Sequence, residues 1–233
     1  MSPRLLALRA AGGRAYARAW NRAVPRSARA VPRLPAEPVS RCYGLDRGRP
    51  IDRVYIERFL ERRAGDLRGR GVEIYEPTYL ERFGGGRLTR IDVLDADPTA
   101  ERATIHGDLS ALPSAAFDCF VMTQTLQLIA DPAAALRQAR NALAPRGVLL
   151  LTVPGISQIN PSDTFPDHVR YTAHGLRSVA GEAFDDVEVT AHGNVQTAAA
   201  LLYGLAEEDV DPGLFASDDP AYPVVVTLRA VRR

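Results

Sequence analysis

The chain of 233 residues suits one α/β domain and is too short for two full enzyme domains, and its 46% hydrophobic and 24% charged content excludes a generally disordered, collagen-like or coiled-coil protein. No apolar run approaches the roughly 20 residues of a membrane-spanning helix, and Cys42 and Cys119 lie far apart without disulfide or zinc-site spacing, so the expectation is a soluble protein of a reducing cytoplasm. The net charge of +1 hides a division: residues 1–34 carry eight arginines and no acid, which leaves 21 arginines against 28 acids, a balance of −7, over residues 35–233.

In residues 14–24, Tyr16, Trp20 and Val24 recur at helical spacing with Arg14, Arg18 and Arg22 on roughly the opposite face, which predicts a short basic amphipathic helix. Such an arm suits an anionic membrane surface, a protein partner or the acidic body itself, and an arm without function stays open beside these. Pro25, Pro32, Pro35 and Pro38 forbid a continuous helix, so residues 1–40 read as arm and Pro-rich linker and residues 41–233 as the folded domain. All 29 basic residues are Arg, a usage that reflects genome composition more than chemistry, and with the body acidic no nucleic-acid partner is expected.

From Pro50 onward the punctuation is regular. Ile51, Tyr55 and Phe59 form an apolar stripe that predicts a helix over 51–64, followed by strands at 72–75, 88–94, 103–106 and 117–122. Asp131 as N-cap and Pro132 at the first helical position open a helix over 132–144. Val148 to Val153 is a continuous apolar strand of the kind a parallel sheet covers on both faces. A helix at 173–182, a strand at 187–190, a helix at 196–208 and a strand at 224–229 complete the pattern, which is that of a doubly wound α/β sheet.

Ile105-His106-Gly107-Asp108-Leu109, then Phe117-Asp118, Asp131-Pro132 and Pro145-Arg146-Gly147 before the hydrophobic strand follow one another as motifs do in a known family. In order and spacing, residues 71–156 resemble class I S-adenosylmethionine-dependent methyltransferases of the type 11 kind. The lead-in Asp46 to Arg53 and the tail Gly193-Asn194-Val195 look like a bacterial branch often met beside glycosyltransferases. The resemblance implies a Rossmann-like, doubly wound seven-stranded sheet with its last strand antiparallel, S-adenosylmethionine as cofactor and no metal. It implies methyl transfer to an O or N acceptor on a sugar, glycoconjugate or secondary metabolite.

The resemblance also implies site residues. Asp92, with Val93 beside it, stands for the carboxylate that ends the second strand and takes the cofactor's ribose hydroxyls; Asp108 and the Leu109 N–H stand for the adenine contacts. Glu73 corresponds to the acid of the first strand, and Thr123 and Gln124 to the lining of the methionine end. The family's first loop is rich in glycine, whereas this chain reads Glu73-Ile74-Tyr75-Glu76-Pro77, so a left-handed backbone at Tyr75 would carry strain of about 1–3 kcal/mol and Pro77 removes an N–H donor. His168, in a segment resembling the acceptor side of the family, is the candidate general base. The departures in the first loop keep a second reading open: a methyltransferase-like fold without catalysis, serving as a binding or scaffold subunit for a partner such as a glycosyltransferase.

Overall fold

The computed structural model describes residues 35–160 and 162–233; the amphipathic helix expected over 14–24 and most of the linker lie outside them. Helix α1 (Ile51–Arg62) precedes strands β1 (Gly69–Ile74), β2 (Leu88–Asp95), β3 (Ile105–His106) and β4 (Phe117–Thr123). Helix α2 (Pro132–Ala142), strand β5 (Leu143–Pro154), helix α3 (Ala173–Gly181), strand β6 (Asp186–His192), helix α4 (Val195–Leu202) and strand β7 (Val225–Val231) follow. The strands form one seven-stranded sheet in the order β3-β2-β1-β4-β5-β7-β6. Neighbours among β1 to β5 run parallel, whereas β7 inserts antiparallel between β5 and β6.

The two faces of the sheet follow from side-chain alternation. Phe120 and Met122 of β4 and Leu149, Leu151 and Val153 of β5 point to the layer that holds α2 and α3. Cys119, Val121, Val148 and Leu150 point to the opposite layer, with α1 and α4. A strand covered on both faces has no polar side to show, which is why β5 reads as an unbroken apolar run; each fully buried leucine there contributes about 1.5–3 kcal/mol.

Local chemistry sets the helix ends. Asp131 accepts the Ala134 N–H and Pro132 opens α2; Thr172 accepts the Gly175 N–H at the start of α3. Asn194 accepts from Gln196 and Thr197 at the start of α4. The helix expected over 196–208 stops at Leu202, because Gly204 takes a left-handed φ of 67°. Its N–H reaches Leu201 O and the Leu205 N–H reaches Ala200 O, closing the helix as a Schellman motif. A Cβ at Gly204 would lie 2.2 Å from Ser40 O, so only glycine lets the segment before α1 pack against this turn. Strand β3, expected over 103–106, shrinks to two residues at the sheet edge, where a short strand offers little for unwanted pairing.

The chain leaves β1 toward β2 on one side and returns to β4 on the other, so strand order reverses between β1 and β4. A crevice at the carboxyl ends of these two strands is therefore where a sheet of this topology holds its ligand.

Candidate functional site

Tyr75 follows β1 at that crevice. Its φ is 75°, its N–H donates to Leu94 O at 2.9 Å, and the Glu76 N–H returns to Ile74 O at 3.0 Å. A hydrogen bond between residues two apart around a left-handed centre is a γ-turn of the rare, strained kind. The phenol ring is 70% exposed above the strand ends. The first loop thus makes a left-handed turn with a tyrosine at its centre. Replacing Tyr75 by glycine should relieve the strain while losing little burial, for a gain of about 1 kcal/mol and a rise in melting temperature of about 2–4 °C; a fall measured by scanning calorimetry would contradict this.

Behind the turn, Glu73 is 3% exposed and its carboxylate faces the protein. Oε2 accepts the Tyr79 N–H at 3.1 Å and the Leu80 N–H at 2.8 Å, so the acid ties the loop back to the strand. Burial pushes its pKa up to about 7 against the pull of those two N–H groups, with Glu81 and Glu76 adding to the rise. Glu73, expected as the cofactor-side acid of the first strand, thus binds the chain's own backbone.

Asp92 does not end the second strand. It pairs with Val72 in the middle of β2, and its carboxylate is fully buried. Oδ2 accepts from Arg70 Nε at 2.7 Å; Oδ1 accepts from an Arg90 amino group at 2.7 Å and from the Thr104 hydroxyl at 3.1 Å. Burial alone would raise its pKa, but the hydrogen bonds from Arg70 and Arg90 outweigh it and hold the carboxyl below the usual range. Val93 is likewise interior, 3% exposed, with its N–H on the Thr104 hydroxyl. The carboxylate at the strand end is that of Asp95. Its Oδ1 accepts the Asp97 N–H at 2.9 Å, and Oδ2 has no partner among the described residues. The turn composition of Asp95-Ala96-Asp97-Pro98 is the signal in the sequence that β2 runs three residues beyond Asp92.

The remaining strand ends lie where expected. Asp108 follows β3, exposed, and accepts the Ser110 N–H and hydroxyl, which lower its pKa. Leu109 beside it is buried. Thr123 closes β4 opposite Thr152, and Gln124 follows with a left-handed φ of 48°, its N–H on Thr152 O at 2.9 Å.

Gln124 opens onto a cavity of about 170 Å³ between the start of α1, the turn after β4 and the segment after β5. Asp52, Arg53, Gln127, Asp167 and Arg170 give it charged and polar walls. Asp167 accepts the Asn160 N–H at 2.6 Å and the Arg170 guanidinium at 2.8 Å, which hold its pKa down against the effect of burial. His168 does not line this cavity: its side chain is exposed, and its N–H donates to Gln127 O at 2.8 Å, which turns Asp167 inward in its place. No cluster of three metal-ligating side chains occurs among the described residues, and no described helix is long and apolar enough to cross a membrane.

Residues 36–202 match the family model described as a methyltransferase domain. No curated protein matches the chain. Among similar solved structures, an S-adenosylmethionine-dependent methyltransferase from Mesorhizobium loti is 13% identical over 78% of this chain and 98% of that chain, with a TM-score of 0.53. Another from Archaeoglobus fulgidus is 12% identical over 77% of this chain and 94% of that one, with a TM-score of 0.51. Phosphoethanolamine N-methyltransferase 2 of Haemonchus contortus, solved with phosphomonomethylethanolamine and S-adenosylhomocysteine, is 14% identical over 76% of this chain and 52% of that one, with a TM-score of 0.51. At such identities the likeness is one of fold.

Proposed function

We propose that this chain, which belongs to the methyltransferase-domain family, binds S-adenosylmethionine and transfers its methyl group to an O or N acceptor on a small molecule. The observation that carries the reading is the row of groups along the strand ends: two carboxylates at adjacent strand ends, Asp95 and Asp108, lie on one side of the left-handed turn at Tyr75, and the cavity opens beside Gln124 on the other. In this reading Asp95 takes the vicinal hydroxyls of the ribose through the oxygen that the Asp97 N–H leaves free. Asp108 and the Leu109 N–H receive the adenine edge, the Tyr75 ring flanks the nucleoside, and Thr123 and Gln124 lie along the methionine end.

When bound, the cofactor supplies an electrophilic methyl group on a positive sulfur. The chain's part is to align the acceptor in the cavity and exclude water, and such alignment is worth about 7–11 kcal/mol of barrier in well-oriented systems. Its acceptor is a sugar, glycoconjugate or secondary metabolite that reaches Gln124 past Asp167 and Arg170. The basic arm within residues 1–40 serves a protein partner or an anionic membrane surface, and the protein works in the cytoplasm.

One observation favours a second reading, a fold kept without catalysis as a scaffold subunit. Glu73 consumes the Tyr79 and Leu80 N–H groups, and a strained tyrosine stands where the resemblance implies a glycine facing the cofactor's carboxylate. Calorimetric titration of S-adenosylmethionine and S-adenosylhomocysteine separates the two. Saturable binding of both supports the enzyme, and absence of heat at concentrations well above millimolar supports the scaffold.

A further inference from the structure

The cavity beside Gln124 has polar walls but an apolar rim. Among the described residues nine large apolar side chains stay exposed, and five of them stand on the segments that frame this one mouth. Leu45 and Ile156 line the cavity themselves, and Ile159 lies between Gln158 and Asn160, which also line it. The Phe165 carbonyl accepts from the Asn160 side-chain amide at 3.1 Å, and Tyr222 is two residues, about 7 Å of chain at most, from Val224 on the cavity wall. Single apolar residues scattered over a surface are ordinary, whereas a group of them around a cavity marks a surface that a ligand covers.

Hydrogen bonds hold this rim out in the water. Tyr43 and Gly44 have φ of 59° and 89°, the two positive angles of a type I′ turn, and the Leu45 N–H closes the turn on Cys42 O at 2.9 Å. Leu45 is thereby set at the outer end of the turn, 64% exposed. Arg47 fixes the chain that follows, with Nε donating to Asp209 Oδ2 at 2.7 Å and an amino group to Oδ1 at 2.6 Å. On the other bank Arg170 donates to Gln158 O at 3.0 Å, and the Gln158 amide donates to Arg41 O at 2.8 Å and joins the two banks. A rim ordered in this way before binding has less conformational freedom to lose when an apolar ligand covers it.

Size and charge select the occupant. At about 170 Å³ the cavity is smaller than the roughly 300–1,000 Å³ that encloses a whole drug-sized ligand, so it takes the head of a molecule and leaves the remainder on the rim. Asp46 adjoins Leu45, Asp163 stands two residues before Phe165, and Asp219 accepts the Tyr222 N–H through its carbonyl at 2.9 Å. Acids among the rim residues repel an anionic bilayer but not an uncharged hydrocarbon group.

We infer that this mouth seats the hydrocarbon body of an amphipathic small molecule, an alkyl or aryl derivative taken from solution, whose polar head enters beside Gln124. That this molecule is the methyl acceptor rests on the proposed transfer. The inference then narrows the acceptor to compounds with an apolar body and excludes free sugars.

The test is calorimetric titration of the full chain with two homologous series, n-alkyl β-D-glucosides and n-alkyl 1,2-diols, from ethyl to octyl and below their micelle concentrations. S-adenosylhomocysteine is titrated in parallel. Affinity is expected to rise about two- to fourfold for each added methylene in both series. Leu45→Ser and Phe165→Ser should each cut the octyl-to-ethyl affinity ratio about 3- to 10-fold, with melting temperature and affinity for S-adenosylhomocysteine near wild type. Leu202→Ser, at an exposed residue of α4 that does not line the cavity, should leave the ratio unchanged. A rise that both rim variants lose supports the inference; if S-adenosylhomocysteine does not bind, the amphipathic ligand stands and its role as acceptor falls. Equal affinities along both series, no binding of any member, or a rise that survives in both rim variants overturns it, with the cofactor reading intact wherever S-adenosylhomocysteine binds. Flotation with phosphatidylcholine vesicles completes the test: attachment of the wild-type protein that Phe165→Ser loses assigns the rim to a bilayer and also overturns the inference. Ile159→Ser replaces either rim variant that fails to fold.

Discussion

Glu73→Gln is expected to be more stable than the wild-type protein by about 3 kcal/mol above pH 7 and about equal to it near pH 4. Burial raises the folded-state pKa of Glu73 from 4.5 to about 7, and the sign follows from proton counting. Below the unfolded value both states hold the proton, and nothing is lost. Between the two values the folded protein keeps a proton that the unfolded chain has released, so stability declines as pH rises, and the whole loss is in place once the folded group ionises. Glutamine never ionises, and its amide oxygen in the Oε2 place still accepts the Tyr79 and Leu80 N–H groups. Other groups titrate in the same range, including the buried His192, whose pKa is lowered by burial; they contribute equally to both proteins and cancel in the difference. Denaturant unfolding of the two proteins from pH 4 to 8 measures that difference. Parallel profiles would show that the Glu73 carboxylate is solvated or already ionised at neutral pH.

The second large effect separates two aspartates three residues apart. Asp95→Ala should weaken S-adenosylhomocysteine binding about 10- to 100-fold with little change in melting temperature, since among the described residues its carboxylate accepts one hydrogen bond, from the Asp97 N–H. Asp92→Ala should leave the affinity of the folded protein near wild type and cost about 3 kcal/mol of stability, a fall of about 6–12 °C. Arg70 and Arg90 lose their shared acceptor in that variant. Their side chains are 31% and 59% exposed, so water recovers part of the loss, and Arg70 keeps its place over the Phe117 ring at 4.8 Å. Scanning calorimetry with ligand titration of both variants reads both predictions. Loss of binding in an Asp92→Ala protein of unchanged melting temperature would reverse the assignment.

The confusion of these two residues shows where sequence reading stops. The apolar residues around Asp92 announce a strand, and the turn after Asp95 announces its end, but a carboxylate inside a buried strand and one at its tip look alike in one dimension. What separates them is the register of β2 on β1, which brings the Arg70 guanidinium alongside Asp92. The same holds for the cavity. The segment from Asp46 to Arg53 reads as a lead-in to the first helix, and only its packing beside the turn after β4 buries Asp52 Oδ1 and sets Asp52 in the cavity that Gln127 also lines. His168 is the converse case, a residue of suitable chemistry that the backbone bond to Gln127 leaves outside the cavity while its neighbour Asp167 enters.

Local periodicity and caps were enough to determine the alternation of strands and helices, the start of α2 at Asp131-Pro132, the continuous apolar run of β5 and the tyrosine standing in the first loop. These properties depend on neighbours within a few residues, where the alternation of side chains and the geometry of a cap act directly. The tertiary structure alone decided which carboxylates are locked and which are free, where α4 stops against Ser40, and which polar atoms are buried without partners. Those depend on groups brought together from distant parts of the chain, and a charge or a hydrogen-bond donor acquires its chemistry from whatever the fold sets beside it.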